Sequence, residues 1–403
     1  MKVAFLTSWF PKYSKTFIIN QVVSLLDLGH DVTIISLGEP DPPANHSIVN
    51  NYNLKEKTYY IPKINTYTGG IKQYVKFVLE HKSILRIISE IKYGKQSPER
   101  LAAQSVLHDP NKFDVFHAHF GPTARCWDFL SKEHPDIPFV ATYYGYDVTK
   151  HLHPENYNYY SRTNHWESVD LAIGISEHIR SRMLMAGCPE EITTTLPIGI
   201  DPDLFQFSPS DYDPNETLRL VSTCRHTGKK GIEYAIRAVS QVKNGGVDLS
   251  YTIAGDGDLT PQYREIASEA GISDEIEFIG RVPQERVSEL MQEAHLYIQP
   301  SVTTSDGDME GQGLVFQEAQ ATGTPPITTF HDGIPEGVRH AETGRLAPER
   351  DVSRLADEIE YFVNNPKEII RYTHRGREWV ESKYDYAKLG KRQEEIYESL
   401  LSK

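Results

Sequence analysis

The feature that most constrains this chain is a rhythm in which short β-rich apolar runs alternate with stretches of helical period, pause once, and resume. VAFLTSWF (3–10) leads into FIINQVVSLLDLG (17–29), whose apolar residues recur at the helical spacing and which stops on a glycine, and DVTIISLG (31–38) follows. FDVFHAHFG, PFVATYYG and DLAIGIS read as further buried strands with helical segments between them. Strands joined through helices run parallel, so the pattern predicts a parallel sheet with helices on both faces. The pause is GIDPDLFQFSPSDYDPNETL (199–218), rich in Pro and Asp and without period, which reads as a linker. Beyond it the rhythm returns through LRLVSTCR, GIEYAIRAVSQV, LSYTIAGDG, IEFIGRV, a helix over 283–294, LYIQPS, LVFQEAQATG and PPITTF. The expected fold is α/β, with two doubly wound Rossmann-like domains (1–203 and 204–383) facing across a cleft. A last helix in 384–403 is expected to cross back to the first domain. A chain of 403 residues has the length for two such cores.

Composition removes several classes of function. The hydrophobic fraction of 39% and charged fraction of 24% are those of a soluble globular protein. No run approaches the roughly 18 apolar residues of a membrane span. MKVAFLTSWF lacks the apolar core and cleavage site of a signal peptide, so a cytoplasmic location is expected. Cys126, Cys188 and Cys224 lie far apart and form no C-x-x-C, which suggests neither a disulfide framework nor a zinc site. A formal charge of −14 argues against nucleic acid as a partner. Residues 66–100 depart from that balance, with seven Lys or Arg against three Glu. On a helical wheel Ile71, Tyr74, Val75, Val78, Leu85 and Ile88 gather opposite Lys72, Lys76 and Arg86. This arrangement suits peripheral contact of 71–95 with an anionic membrane at its inner face, and it also suits a surface helix with its apolar side in the core.

Ligands of open parallel sheets sit beyond the carboxyl ends of the strands, which directs attention to the cleft. No G-x-G-x-x-G follows the first strand and no G-x-x-x-x-G-K-[ST] occurs, so dehydrogenase and P-loop readings are weak. In CRHTGKKG, Arg225 ends a strand and Lys230 opens the next helix, forming either a positive corner suited to a diphosphate or a solvated basic turn. EGQGLVFQEAQATGTPP (310–326) carries two carboxylates eight positions apart. In one continuous helix they would point roughly 80° apart. Gly311 and Gly313 instead place Glu310 in a turn and start the helix near 312–314, with Glu318 one turn in. Free N–H groups at that start can face an anion or a sugar oxygen, while the carboxylates accept from hydroxyls on either side, an arrangement that suits a sugar nucleotide. Asp306-Gly307-Asp308 reads as turn chemistry, and no metal is expected.

Residues 305–326, S-D-G-D-x-E-G-x-x-L-V-x-x-E-A-x-A-x-G-x-P-P, resemble the E-x7-E signature of the retaining glycosyltransferases of family 4, which have the GT-B fold. FPKYSKTFI, HAHFG, ISEHIRSRMLMAGCP, LPIGIDPDLF, CRHTGKKG, IAGDGDL and IEFIGRVP stand in the family's order, and the first two look most like the branch that builds exopolysaccharides of the colanic-acid type. The resemblance implies transfer of a sugar from a UDP- or GDP-sugar to a glycan or polyprenyl-linked glycan acceptor, with retained configuration and no cofactor. It gives Glu318 the donor ribose, and it gives Glu310, Gly311, Gln312, Gly313 and Leu314 the donor sugar and diphosphate. Arg225 and Lys230 would neutralise the departing diphosphate, and the loop at Gly280, Arg281 and Val282 would meet the base. Ser14, Lys15, Thr16 and Asp147 would stand on the acceptor side, with Asp147 also readable as a helix cap. Two positions depart from the pattern. Tyr144, in TYYGYD, occupies the place of the family's active-site histidine, and a phenol with a pKa of about 10 is a poor proton carrier at neutral pH. His119 reads either as its substitute or as a structural histidine. Lys15 stands where that branch commonly has Glu. A non-catalytic nucleotide-sugar or glycan-binding relative, and a nucleotide-sugar epimerase on a related fold, remain as alternative readings.

Overall fold

The computed structural model describes residues 1–12, 15–40, 47–61, 112–150, 160 and 165–402. Ser14 and the 71–95 segment fall outside them.

The first sheet comprises β1 (Lys2–Thr7), β2 (Asp31–Ser36), β3 (Thr58–Tyr60), β4 (Val115–His119), β5 (Phe139–Tyr143), β6 (Leu171–Gly174) and β7 (Thr193–Thr195). All are parallel, in the spatial order β3-β2-β1-β4-β5-β6-β7. Central strands with helices on both faces must be apolar throughout, and every residue of β4 and β5 is buried. The helices of this lobe include α1 (Thr16–Asp27), α2 (Ser47–Asn51), α3 (Gly121–Cys126), α4 (Phe129–Glu133) and α5 (Glu177–Met185).

The second sheet repeats the plan with β8 (Leu218–Thr223), β9 (Leu249–Ala254), β10 (Ile276–Gly280), β11 (Leu296–Ile298), β12 (Pro326–Thr329) and β13 (Arg345–Ala347), in the order β10-β9-β8-β11-β12-β13. Around it lie α6 (Ile232–Asn244), α7 (Thr260–Glu269), α8 (Gln284–Glu293), α9 (Leu314–Thr322), α10 (Ile334–Gly337), α11 (Val352–Asn364) and α12 (Pro366–Lys383). In each sheet the strand order reverses once, between β1 and β4 and between β8 and β11, and a crevice opens at each reversal.

The chain crosses between lobes twice, and the crossings pair. Ile200 N–H donates to the Tyr384 carbonyl at 2.8 Å, and Tyr386 N–H donates back to the Ile200 carbonyl at 3.0 Å. Asp385 then caps α13 (Tyr386–Leu401), accepting from the N–H of Ala387 at 2.8 Å. This helix lies on α1, with Gly390 against Ser24, and its Tyr397 is buried in the first lobe's core. Tyr397 hydroxyl meets His117 Nδ1 on β4 at 2.5 Å.

Candidate active site

After β8 the chain passes Cys224 and Arg225 into a tight turn at Gly228–Lys230. After β11 it runs through a long loop to α9, and Glu310 lies in that loop. Lys230 Nζ stands 2.9 Å and Lys229 Nζ 3.6 Å from the same Glu310 oxygen, while Lys229 also pairs with Asp308 at 3.1 Å. Glu310 is buried, which would raise its pKa. Lys230 and then Lys229 outweigh that and hold the carboxyl well below its usual range, so it is ionised. Lys229, drawn down by burial, is carried above its ordinary value by Glu310 and Asp308. Arg225 is exposed, yet close enough for its charge to act on Lys229. Sequence reasoning missed Lys229. The Lys-Lys doublet was the signal, but only the fold turns both ammonium groups to one carboxylate.

Helix α9 begins at Leu314, with Gly313 as its N-cap at φ 75°, a backbone angle that favours glycine. Glu318, one turn in, lines a cavity of about 260 Å³ with Thr16 and Asn20 of α1, Asp201, Gln284 and Tyr386. Burial raises its pKa from the ordinary 4.5 to about 7, with the Lys230 charge working against the rise. The side chain of Gln312 is spent elsewhere. It accepts from Ile198 N–H at 2.8 Å and donates to the Ile198 carbonyl at 2.9 Å, tying the lobes together, so only its backbone faces the crevice chemistry. Arg281 is exposed, 3.6 Å from Asp256, and Val282 packs on the second lobe's inner cluster.

A buried brace behind Glu310 was also invisible in the sequence. His331, just after β12, has no exposed surface, and its Nδ1 meets Glu349 at 2.6 Å. Its Nε2 accepts the backbone N–H of Glu310 at 3.1 Å. Glu349 in turn accepts from the backbone N–H of Thr303 at 3.0 Å, so two points of the 301–310 loop hang on one histidine-glutamate pair.

In the first lobe, β4 ends at His119 and β5 leads into Tyr144. The two side chains meet: Tyr144 hydroxyl lies 2.6 Å from His119 Nδ1, with the Gln21 amide donating to the tyrosine oxygen at 3.4 Å. Assigning the hydroxyl hydrogen to Nδ1 uses both donors at the tyrosine oxygen and leaves the ring proton on Nε2, which has no partner. Burial, then His117 and Lys15, hold the His119 pKa well below its usual value, and burial pushes the Tyr144 phenol well above its own. The pair is neutral. Phe17 and Phe120 cover Tyr144 at ring separations of 4.6 and 4.5 Å. Asp147 is a brace rather than an acceptor contact. It is fully buried and accepts from the backbone N–H groups of Gly121, Tyr144 and Gly145 at 3.1, 3.1 and 2.8 Å, which joins the loops after β4 and β5. Burial lifts its pKa to about 6 in spite of those donors.

The two crevices face each other at Gly311. A Cβ there would collide with the Tyr144 carbonyl, and Ser176 hydroxyl donates to the Gly311 carbonyl at 2.8 Å. Among the described residues no group of three or more His, Cys, Asp or Glu is arranged to hold a metal ion. Asp306 pairs with Lys150 at 2.5 Å.

The chain is 31% identical over 394 residues to the amylovoran biosynthesis glycosyltransferase AmsK of Erwinia amylovora, covering 96% of each. The profile described as glycosyl transferases group 1 matches residues 209–379, and that described as glycosyltransferase family 4 matches residues 15–204. The chain is a family 4 glycosyltransferase. A second relative of this glycosyltransferase, the putative colanic acid biosynthesis glycosyltransferase WcaL of Escherichia coli, is 31% identical over 400 residues, with 96% of each chain covered. Its two lobes match those of Anabaena HepE, solved in complex with UDP and glucose, at a TM-score of 0.73 and 17% identity over 99% of this chain and 100% of that one. They match the sucrose-phosphate synthase of Thermosynechococcus elongatus at 0.72 and 17%, over 100% and 99%. At such identities the likeness is one of fold, and that fold is GT-B.

Proposed function

We propose that this glycosyltransferase moves a sugar from a UDP- or GDP-sugar to a glycan or lipid-linked glycan acceptor in surface polysaccharide synthesis, with retained configuration. The relatives that match over nearly the whole chain are named for amylovoran and colanic acid biosynthesis. The observation that carries the reading is the constellation at the second switch point, where Lys230 and Lys229 converge on Glu310 just before the start of α9 and Glu318 follows one turn in.

The donor diphosphate takes its place beside Arg225, Lys229 and Lys230, which stabilise the charge that grows as the bond from phosphate oxygen to anomeric carbon breaks. Backbone N–H groups from Gly311 to Leu314 add to that field. Glu318 accepts from the ribose hydroxyls and Glu310 from the sugar. The acceptor oxygen attacks the anomeric carbon on the face the phosphate leaves, and the departing phosphate oxygen takes the acceptor's proton. No protein base is then required, in keeping with the neutral His119 and Tyr144 pair on the facing lobe, which shapes the pocket around the sugar.

The test is a panel of UDP- and GDP-sugars screened for protection against heat, followed by proton NMR of the product made from the best donor. Retention of the donor's anomeric configuration and turnover that survives a chelator are expected. An inverted product, or activity restored only by a divalent cation, would overturn this mechanism.

A further inference from the structure

Resting on that reading, we propose that the acceptor is anionic close to its reacting hydroxyl, and that Lys15 at the head of α1 receives a carboxylate or phosphate oxyanion from it. The two lysines of the facing crevice have carboxylate partners: Lys230 has Glu310, and Lys229 has Glu310 and Asp308. Lys15 has none among the described residues. Its partly buried amine donates to Ser8 hydroxyl at 2.8 Å and lies 4.9 Å above the Phe120 ring. Burial and the neighbouring Lys12 draw its pKa down to about 8, the mark of a cation held without a counter-charge.

Two further features point the same way. Lys15 is the N-cap of the 12-residue helix α1, whose positive end has no side-chain cap and no acid in its first turn. His119, fully buried and near enough for the Lys15 charge to act on it, keeps Nε2 without a partner while Nδ1 takes the Tyr144 hydroxyl. An unpartnered ring N–H and an uncompensated ammonium beside the β1/β4 switch point make a donor set for one oxyanion. Arg225, Lys229 and Lys230 already serve the donor diphosphate from the other lobe, which leaves this set for the acceptor. Tyr146, 40% exposed and 5.4 Å from Phe120 ring to ring, extends an aromatic surface beside it on which a sugar ring can lie.

The experiment measures binding by calorimetry, without nucleotide, of p-nitrophenyl β-D-glucuronide, glucose 1-phosphate and neutral p-nitrophenyl β-D-glucoside to the full chain and to Lys15→Gln and Lys15→Arg. The unaltered chain is expected to bind at least one anionic probe roughly tenfold tighter than the glucoside, a charge-assisted hydrogen bond's worth. The tighter of the two identifies carboxylate or phosphate. Lys15→Gln should erase the preference and Lys15→Arg keep it. Titration of UDP and GDP should be unaffected by Lys15→Gln. Equal affinities in the unaltered chain, or a preference that survives Lys15→Gln, would overturn the proposal. So would a loss of nucleotide affinity as large as the loss for the anionic probe, which would assign Lys15 to the donor diphosphate. If neither UDP nor GDP binds while the anionic preference appears, the nucleotide-sugar reading fails and the anion site stands.

Discussion

Glu310 and Glu318 sit on opposite sides of the α9 start in unlike surroundings, and their chemistry divides accordingly. Glu310 is ionised because two ammonium groups outweigh its burial, whereas Glu318 has only the partial help of Lys230 and is lifted to about 7. With Glu318 holding the donor ribose as proposed, Glu318→Ala should raise the donor KM and weaken the free nucleoside diphosphate about tenfold, since such a contact would be made in both ground and transition states. Glu310→Ala should lower kcat by roughly 10²-fold with nucleoside diphosphate affinity little changed. Calorimetry and steady-state kinetics on both variants decide this, and equal losses of nucleotide affinity would show the two acting as a unit. The raised value also sets a pH window. Glu318 is mostly protonated below about 7, so nucleoside diphosphate affinity should climb between pH 6 and 8 as the carboxylate forms, with a shallower climb in Glu318→Gln. For stability the sign is opposite: the contribution of the raised carboxyl is present below about 4.5 and lost as pH rises through about 7.

At the scale of elements, the 301–310 loop carries the Glu310 to which the proposed mechanism assigns the donor sugar, and it has no regular structure to hold it. The His331 and Glu349 pair fixes Thr303 and Glu310 from behind, and Val302 N–H donates to the Lys229 carbonyl at 2.9 Å. His331→Ala leaves the buried Glu310 N–H without its partner and takes one donor from Glu349, which keeps Thr303, and frees the loop to turn Glu310 away from Lys230. The expected result is a kcat reduced about tenfold or more with nucleoside diphosphate affinity near normal, and partial recovery in His331→Gln, whose amide can restore one of the two bonds. Loss of nucleotide affinity in step with kcat would instead mean that the second lobe as a whole had been disturbed.

Over the whole molecule, sequence order and structural membership part at α13. This helix follows the second lobe in the chain but is packed into the first, where Tyr397, Gln393 and His117 form a buried hydrogen-bonded cluster, with Gln393 donating to the tyrosine oxygen at 2.6 Å. Tyr397→Phe should lower stability by about 1–3 kcal/mol, because it removes the hydroxyl that His117 Nδ1 and the Gln393 amide share and leaves them only their longer 3.3 Å contact with each other. In urea the early transition should be that of the first lobe, while titration of the nucleoside diphosphate, which the proposed site takes on the second lobe, should be nearly unaltered. A single unshifted transition would show that the cluster does not stabilise the first lobe.

What the sequence determined by itself is whatever depends on local period and local backbone. The alternation of apolar runs with helical stretches demands parallel sheets, because only a buried strand tolerates apolar residues on both faces, and the pause before Leu218 separates two of them. Gly311 and Gly313 decide that Glu310 precedes a helix starting at Leu314, since Gly313 takes the positive φ at that boundary. The E-x7-E spacing and the strand-end Arg225 and Lys230 are legible for the same reason. Tertiary structure decided the rest. His331 and Glu349, 18 residues apart, become a brace only because β12 and β13 are neighbours in one sheet. Tyr144 and His119, 25 residues apart, meet because β4 and β5 pair in register, which brings His119 beside Thr142 and carries both strand ends to one crevice. Gln312, read as a donor contact, became a tie between lobes because Ile198 reaches it from the other domain. Periodicity reports which face of an element is buried, but the partner that a polar side chain meets there is set by the pairing of elements remote in sequence.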